Sequence, residues 1–171
     1  MGKMINFELE KKKDEIRGKA LRKLSFSMRT ENEIREFLKE NYDDKELIED
    51  TISFLKEFNY LNDVSYSVSF FKREKLKMKS KKRIISELKT KGVKESDIES
   101  AVELMENSSE EKAEEDIETA KKIMNKMVNE QKNAGKSLDD KFKGKLMRRL
   151  ISKGYDNSIC YKILSEVKKD E

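Results

Sequence analysis

Any chemistry in this chain has to come from charge. Histidine is absent and cysteine occurs once, at Cys160. The commonest general base and the commonest metal ligand are therefore missing, and no disulfide can form within the chain. No glycine-rich phosphate loop is present. The acidic run Glu110, Glu111, Glu114, Glu115, Asp116 lacks metal-ligand spacing and reads as the solvated face of a helix. Neither a cofactor nor a metal is expected, and the chain reads as a binding protein rather than an enzyme.

The charge is arranged in blocks that the formal net charge of +4 conceals. Tyr66 to Lys94 holds eleven Lys/Arg and two acidic residues, a local balance of +9. Glu95 to Thr119 holds eleven acidic residues and one lysine, a balance of −10. Lys136 to Lys153 holds seven basic and two acidic residues, a balance of +5. Basic blocks of this density suit a polyanion or an acidic protein face. The candidate partner-facing residues are Lys72, Arg73, Lys75, Lys79, Lys81, Lys82 and Arg83 in the first block. Lys145, Arg148, Arg149 and Lys153 are the candidates in the last. The alternative is a set of solvated helix faces partly neutralised by the acidic block.

The elements that must position these side chains are helices. The 171 residues contain no proline and six glycines, with 35% hydrophobic and 43% charged residues. About 25% charged is usual, so one thick core is not expected. Several thin cores joined end to end fit better, each needing one apolar stripe per helix. A fifty-residue offset aligns Ile34 with Ile84, Leu38 with Leu88, Ile48 with Ile98, Ile52 with Val102 and Leu55 with Met105. A further offset of sixty-two aligns Leu146, Leu150, Cys160 and Leu164 with the second copy. Apolar positions four apart, a polar turn, then four and three apart describe two amphipathic helices joined by a short turn. Lys91-Gly92 and Lys153-Gly154 fall just past a helix, where a left-handed residue closes the end. The first copy carries Asn41-Tyr42 there.

Helix starts are read at Thr30-x-x-Glu33, a capping box, at Asp43-x-x-Glu46, at Ser137-x-x-Asp140 and at Asp156. A preceding helix is read before each pair, over 19–26, 63–77 and 110–133. The expected fold is all-α, three tandem three-helix repeats of helix-turn-helix-like form making an elongated, curved molecule. The expected boundaries are a short extension over 1–18 and repeats over 19–58, 59–107 and 108–171.

Two segments between and within these repeats carry a family resemblance. The first is Phe58-Asn59-Tyr60-Leu61-Asn62-Asp63-Val64-Ser65-Tyr66, and the second Arg83-Ile84-Ile85-Ser86-Glu87-Leu88-Lys89-Thr90-Lys91-Gly92-Val93. In order and separation they resemble the "gYLdDxxfA" and "rI..EL..KGv" motifs of the RecX regulatory family. Gly154-Tyr155 resembles its weaker late motif, and Ala20-Leu21 through Glu33-Ile34 its opening. Asn59 stands where the family usually has glycine, Ser67 where it has alanine, and Ser80 near a further glycine position. Tyr60, Leu61, Asp63, Leu88, Lys91, Gly92 and Gly154 also have structural readings. Tyr60 and Leu61 pack the junction, Asp63 caps the helix it begins, Leu88 lies in the core, and the Lys-Gly pairs stop helices.

The resemblance implies a protein that binds the RecA recombinase, chiefly its filament on single-stranded DNA, lying in the filament's groove. It implies restraint of ATP hydrolysis, coprotease activity and strand exchange, with roles in DNA repair, recombination and the SOS response. Weak non-specific DNA binding accompanies this reading. The second reading is a direct DNA binder using one repeat as a helix-turn-helix. The candidate third helices, 45–56 and 95–106, are mainly acidic, and acidic helices do not settle into a groove lined by phosphates. No run of about 18 apolar residues is present, and the start MGKMINFELEKKKDE has no apolar signal-peptide core. A cytoplasmic monomer is the expectation.

Overall fold

The computed structural model describes residues 2–108 and 115–167, with side chains described for 7–106 and 115–167. Nine helices and no strand occur among the described residues. They are α1 (Gly2–Phe26), α2 (Glu31–Lys39), α3 (Lys45–Glu57), α4 (Asp63–Leu76), α5 (Lys81–Thr90), α6 (Glu95–Ser108), α7 (Glu115–Asn133), α8 (Asp140–Ser152) and α9 (Asn157–Glu166). The expected all-α repeat class is what is found. Glu110, Glu111 and Glu114, with the part of the third leading helix before Glu115, lie outside the described residues. α1 is longer than the sequence reading, starting at Gly2 rather than at residue 19. Ile16 and Ala20, four residues apart on α1, are both fully buried, so its apolar stripe begins within the expected extension.

The chain forms two compact units. The first comprises Met1–Val68 with Leu88–Val102, and the second Ser69–Glu87 with Glu103–Glu171. α4, α5 and α6 each contribute residues to both. The first unit's core joins Ile16 and Ala20 of α1 to Ile34 and Leu38 of α2 and to Leu47, Ile48, Ile52 and Leu55 of α3, with Leu61. The second unit's main core joins Ala120, Ile123 and Met124 of α7 to Phe142, Leu146 and Leu150 of α8 and to Cys160 and Ile163 of α9.

The aligned positions behave alike for three steps of the pattern. Ile34, Ile84 and Leu146 are buried, as are Leu38, Leu88 and Leu150, and Ile48, Ile98 and Cys160. The fourth step drifts. Ile52 is buried, but Val102 and Leu164 are half-buried, and in the last helix Ile163 takes the core position.

The capping box at Thr30 is present, with its hydroxyl accepting from the Glu33 amide and the Glu33 carboxylate accepting from the Thr30 amide. Three other starts shift. Asp44, not Asp43, caps α3, and Asp139, not Ser137, caps α8. Asn62 caps α4 by accepting from the Ser65 amide at 2.8 Å. Asp63 caps α2 instead of its own helix. Its carboxylate accepts from the Glu31 amide, also at 2.8 Å, and both residues are buried. Asn41 does not take a left-handed conformation. Among the described residues, the non-glycine positions that do are Asn59 (φ 56°) and Met78 (φ 57°).

Asp63 belongs to a joint that recurs. In the first unit the Thr30 hydroxyl donates to the Lys91 carbonyl at 3.0 Å, Asp63 receives the Glu31 amide, and Gly92 lies against Asn32. In the second unit the Ser80 hydroxyl donates to the Gly154 carbonyl at 2.6 Å, Asp116 receives the Lys81 amide at 3.2 Å, and Gly154 lies against Ser80 and Arg83. Thr30 and Ser80 both also cap the helix that follows them. In each case the start of one repeat's second helix seats on the Lys-Gly turn of the next repeat and under an acid on that repeat's first helix.

Thr30 therefore holds two partners from a fully buried site. Thr30→Ala is expected to lower unfolding free energy by about 2 kcal/mol, combining a lost cap and a stranded carbonyl. Thr30→Ser keeps both hydrogen bonds and is expected to lose less than half as much in urea unfolding.

Candidate functional site

All eleven basic residues singled out in the sequence fall in the second unit, where they divide into two groups. In the first group, around α4 and α5, nearly every cation has an acidic partner. Arg73 lies 3.1 Å from Glu74, and its guanidinium sits over the Phe70 ring at 4.9 Å. Lys75 pairs with Glu115 at 2.7 Å, Lys81 with Glu106 at 2.5 Å and Lys82 with Asp156 at 2.6 Å. Arg83 pairs with Glu87 at 2.9 Å. Lys72 is exposed and, among the described residues, has no ion pair. The basic block is thus folded against acids, two of them, Glu106 and Glu115, from the −10 segment. The sequence shows both blocks but not that Lys75 meets Glu115, forty residues away.

Glu74 is the hub of this group. It is 3% exposed, and it receives Lys77 at 2.8 Å and Lys79 at 2.7 Å besides Arg73. Lys79 also reaches Glu87 at 2.7 Å. Burial alone would push the Glu74 carboxyl up. The close cations Lys77, Lys79 and Arg73, of which Lys77 and Arg73 also donate hydrogen bonds, outweigh it and hold the pKa at about 2, against an ordinary 4.5. A depressed carboxyl stabilises the fold above its unfolded pKa, and that stability is lost as pH falls through the folded value. The native protein is therefore expected to lose up to about 3 kcal/mol between pH 4.5 and pH 2 from this group. Glu74→Gln should be less stable at neutral pH and lack that segment of the acid-induced decline, as read by urea unfolding across pH.

The second group lines an open cleft of about 770 Å³. Two helix stripes form its walls. α7 supplies Ile123, Lys126, Met127, Glu130 and Gln131, and α8 supplies Phe142, Lys145, Arg148 and Arg149, each set spaced by three or four residues. Leu76, Lys77 and Met78 after α4, with Ala134, Lys136 and Lys153, complete the lining. Among the described residues, seven cations and one carboxylate surround it. No ion pair is formed by Lys126, Lys136, Lys145, Arg148, Arg149 or Lys153 among the described residues. Lys153 is half-buried and donates to the Lys77 carbonyl at 2.7 Å. Burial, then Arg149 and Lys79, push its pKa below the ordinary lysine value. Unpaired cations crowded on one concavity concentrate positive field there.

Lys145, Arg148, Arg149 and Lys153, named from the sequence as partner-facing, line this cleft, and Lys77, Lys126 and Lys136, not named there, join them. The apolar lining was not named there either. The α7 stripe was the available signal, since Ile123, Met127 and Glu130 recur at helical spacing. Among the motif residues, Leu61 and Leu88 are buried, and Gly92 and Gly154 take the left-handed conformation. Lys91 additionally reaches the Glu33 carboxylate at 2.8 Å. Tyr60 departs from expectation, being 55% exposed, with its ring 6.5 Å from that of the equally exposed Phe58. The left-handed turn at Asn59 sends Leu61 inward, its amide bonded to the Leu55 carbonyl, and leaves Tyr60 outside. Cys160 is buried in the second core, and burial pushes its thiol pKa up.

Helices arranged in three-helix repeats and carrying a cationic cleft define a helical-repeat protein, and no group of His, Cys, Asp or Glu that could hold a metal ion occurs among the described residues. No helix among the described residues is long and apolar enough to cross a membrane. Residues 17–55 match the RecX first three-helix domain. The chain is 35% identical over 165 residues to the regulatory protein RecX of Clostridium perfringens strain 13, covering 94% of this chain and 73% of that one. It is 32% identical over 149 residues to that of Clostridium beijerinckii, covering 86% and 66%. A crystal structure of a regulatory protein RecX superposes with a TM-score of 0.73 at 25% identity, covering 95% of this chain and 76% of that one. The crystal structure of RecX from Lactobacillus salivarius shares the fold, with a TM-score of 0.70 at 23% identity, covering 92% and 97%. The chain belongs to the RecX family of regulatory proteins.

Proposed function

We propose that the protein regulates the RecA recombinase by binding RecA and its filament on single-stranded DNA, chiefly restraining ATP hydrolysis, coprotease activity and strand exchange. Family membership across nearly the whole chain carries this reading. The cationic cleft supports it, because a nucleoprotein filament is a polyanion with acidic protein surface, and unpaired cations favour such a partner electrostatically. The mainly acidic α3 and α6 disfavour use of those helices for base readout. DNA binding in this reading is weak, sequence-independent and salt-sensitive.

The test is RecA ATP hydrolysis on single-stranded DNA at a low molar ratio of the protein to RecA. Inhibition is the expected result. An unchanged rate, together with tight binding to a defined duplex, overturns the proposal in favour of a direct DNA-binding role.

A further inference from the structure

The cleft between α7 and α8 has an apolar lining that a site for phosphates alone does not require. Leu76 projects at its edge and is 85% exposed. Met78 and Met127 are half-buried within the lining. An unsupported leucine and two pliant methionines ringed by cations form an amphipathic receptor. We propose that this cleft docks an acidic amphipathic helical segment of a protein partner, with apolar side chains on Leu76, Met78 and Met127 and carboxylates meeting Lys126, Arg148 and Arg149.

Two observations favour a peptide over a nucleic-acid strand. Single strands gain their non-electrostatic affinity by stacking bases on aromatic faces. Among the described residues, the one aromatic in this lining is Phe142, which is 3% exposed and has no face to offer. Methionine and leucine instead match the anchors that an amphipathic helix presents at i, i+4 and i+7. The cleft volume of about 770 Å³ accommodates a few such anchors. Charge complementarity fixes the sign, since one carboxylate, Glu130, stands against the surrounding cations. Met78 is held at the cleft by a left-handed turn, with the Lys79 amide bonded to the Glu74 carbonyl, so part of the apolar lining is preset by the backbone.

The inference rests on the reading of this cleft as partner-facing, and its peptide titration is read separately from the RecA assay. The full chain is titrated into a fluorescein-labelled peptide of about 15 residues, with leucines at i, i+4 and i+7 and glutamate elsewhere. A twin peptide carries serine for each leucine, and an oligothymidylate of similar length is the third probe. The leucine peptide is expected to bind about tenfold more tightly than the serine twin. Leu76→Ser and Arg148→Glu, both at exposed positions, should each weaken leucine-peptide binding about tenfold. Leu76→Ser should leave oligothymidylate binding unchanged, with helicity by circular dichroism confirming that each variant is folded. Equal affinity for the two peptides overturns the inference, as does indifference of the leucine peptide to Leu76→Ser. Equal weakening of oligothymidylate by Leu76→Ser also overturns it, and points to nucleic acid as the occupant. Loss of peptide binding with RecA inhibition intact refutes the docking inference alone. Peptide binding with no effect on RecA refutes the functional reading alone.

Discussion

Gly154→Ala is expected to lower unfolding free energy by about 3 kcal/mol. Gly154 lies at φ 89°, where an L side chain costs about 1–2 kcal/mol. A Cβ there would stand 2.4 Å from the Arg83 Cβ and 2.8 Å from the Ser80 hydroxyl oxygen. The Arg83 Cβ is fixed to its backbone and cannot swing aside, so the start of α5 must move away from the turn. That movement breaks two bonds, from the Ser80 hydroxyl to the Gly154 carbonyl and from the Ser80 amide to the Lys153 carbonyl at 3.0 Å. Each is worth about 1 kcal/mol net. Gly135 supplies the control, with φ 66° but no atom within 4 Å of where a Cβ would stand. Gly135→Ala should lose only the backbone share, about 1 kcal/mol. Urea unfolding of the two variants separates the backbone cost from the joint. Equal losses would show that the joint contributes nothing.

Reversing Arg148 and Arg149 together to glutamate should reduce inhibition of RecA ATP hydrolysis at least about tenfold at physiological salt. The same reversal at Lys81 and Lys82 should change it less than about threefold. Lys81 and Lys82 already face Glu106 and Asp156, so their field is largely cancelled at a distance. The arginines have no such partner among the described residues and face the cleft directly. Raising salt should weaken native inhibition and flatten it in the arginine variant, because fewer unpaired cations remain to be screened. Equal loss from both double variants, each folded by circular dichroism, would return the candidate surface to the α5 side of the unit.

What the sequence discloses and what it hides follow from the range of the interactions. Ile34, Leu38 and Ile48 with their aligned partners are legible because a core stripe is written in the spacing of one helix. Thr30 and Glu33 are legible because both halves of a capping box lie within four residues. Asp63 misleads for the opposite reason. It stands beside Asn62 at a helix start, yet its carboxylate serves the Glu31 amide, thirty-two residues earlier. Tyr60 misleads because one left-handed residue, Asn59, decides which of two adjacent apolar side chains turns inward. The basic blocks are the harder case. Formal charge assigns equal weight to Lys82 and Arg148, and only their surroundings separate a cation answered by Asp156 from one left facing an open cleft.

The recurring joint gives the middle repeat two complementary ends. Its Lys-Gly turn and Asp63 form a socket for Thr30 and the Glu31 amide, while Ser80 and the Lys81 amide form the plug received at Gly154 and Asp116. Because plug and socket are made of the same kinds of group, threonine or serine above and a carbonyl and a carboxylate below, the repeat is an interchangeable part. Its duplication would lengthen the chain by one link without any new type of contact.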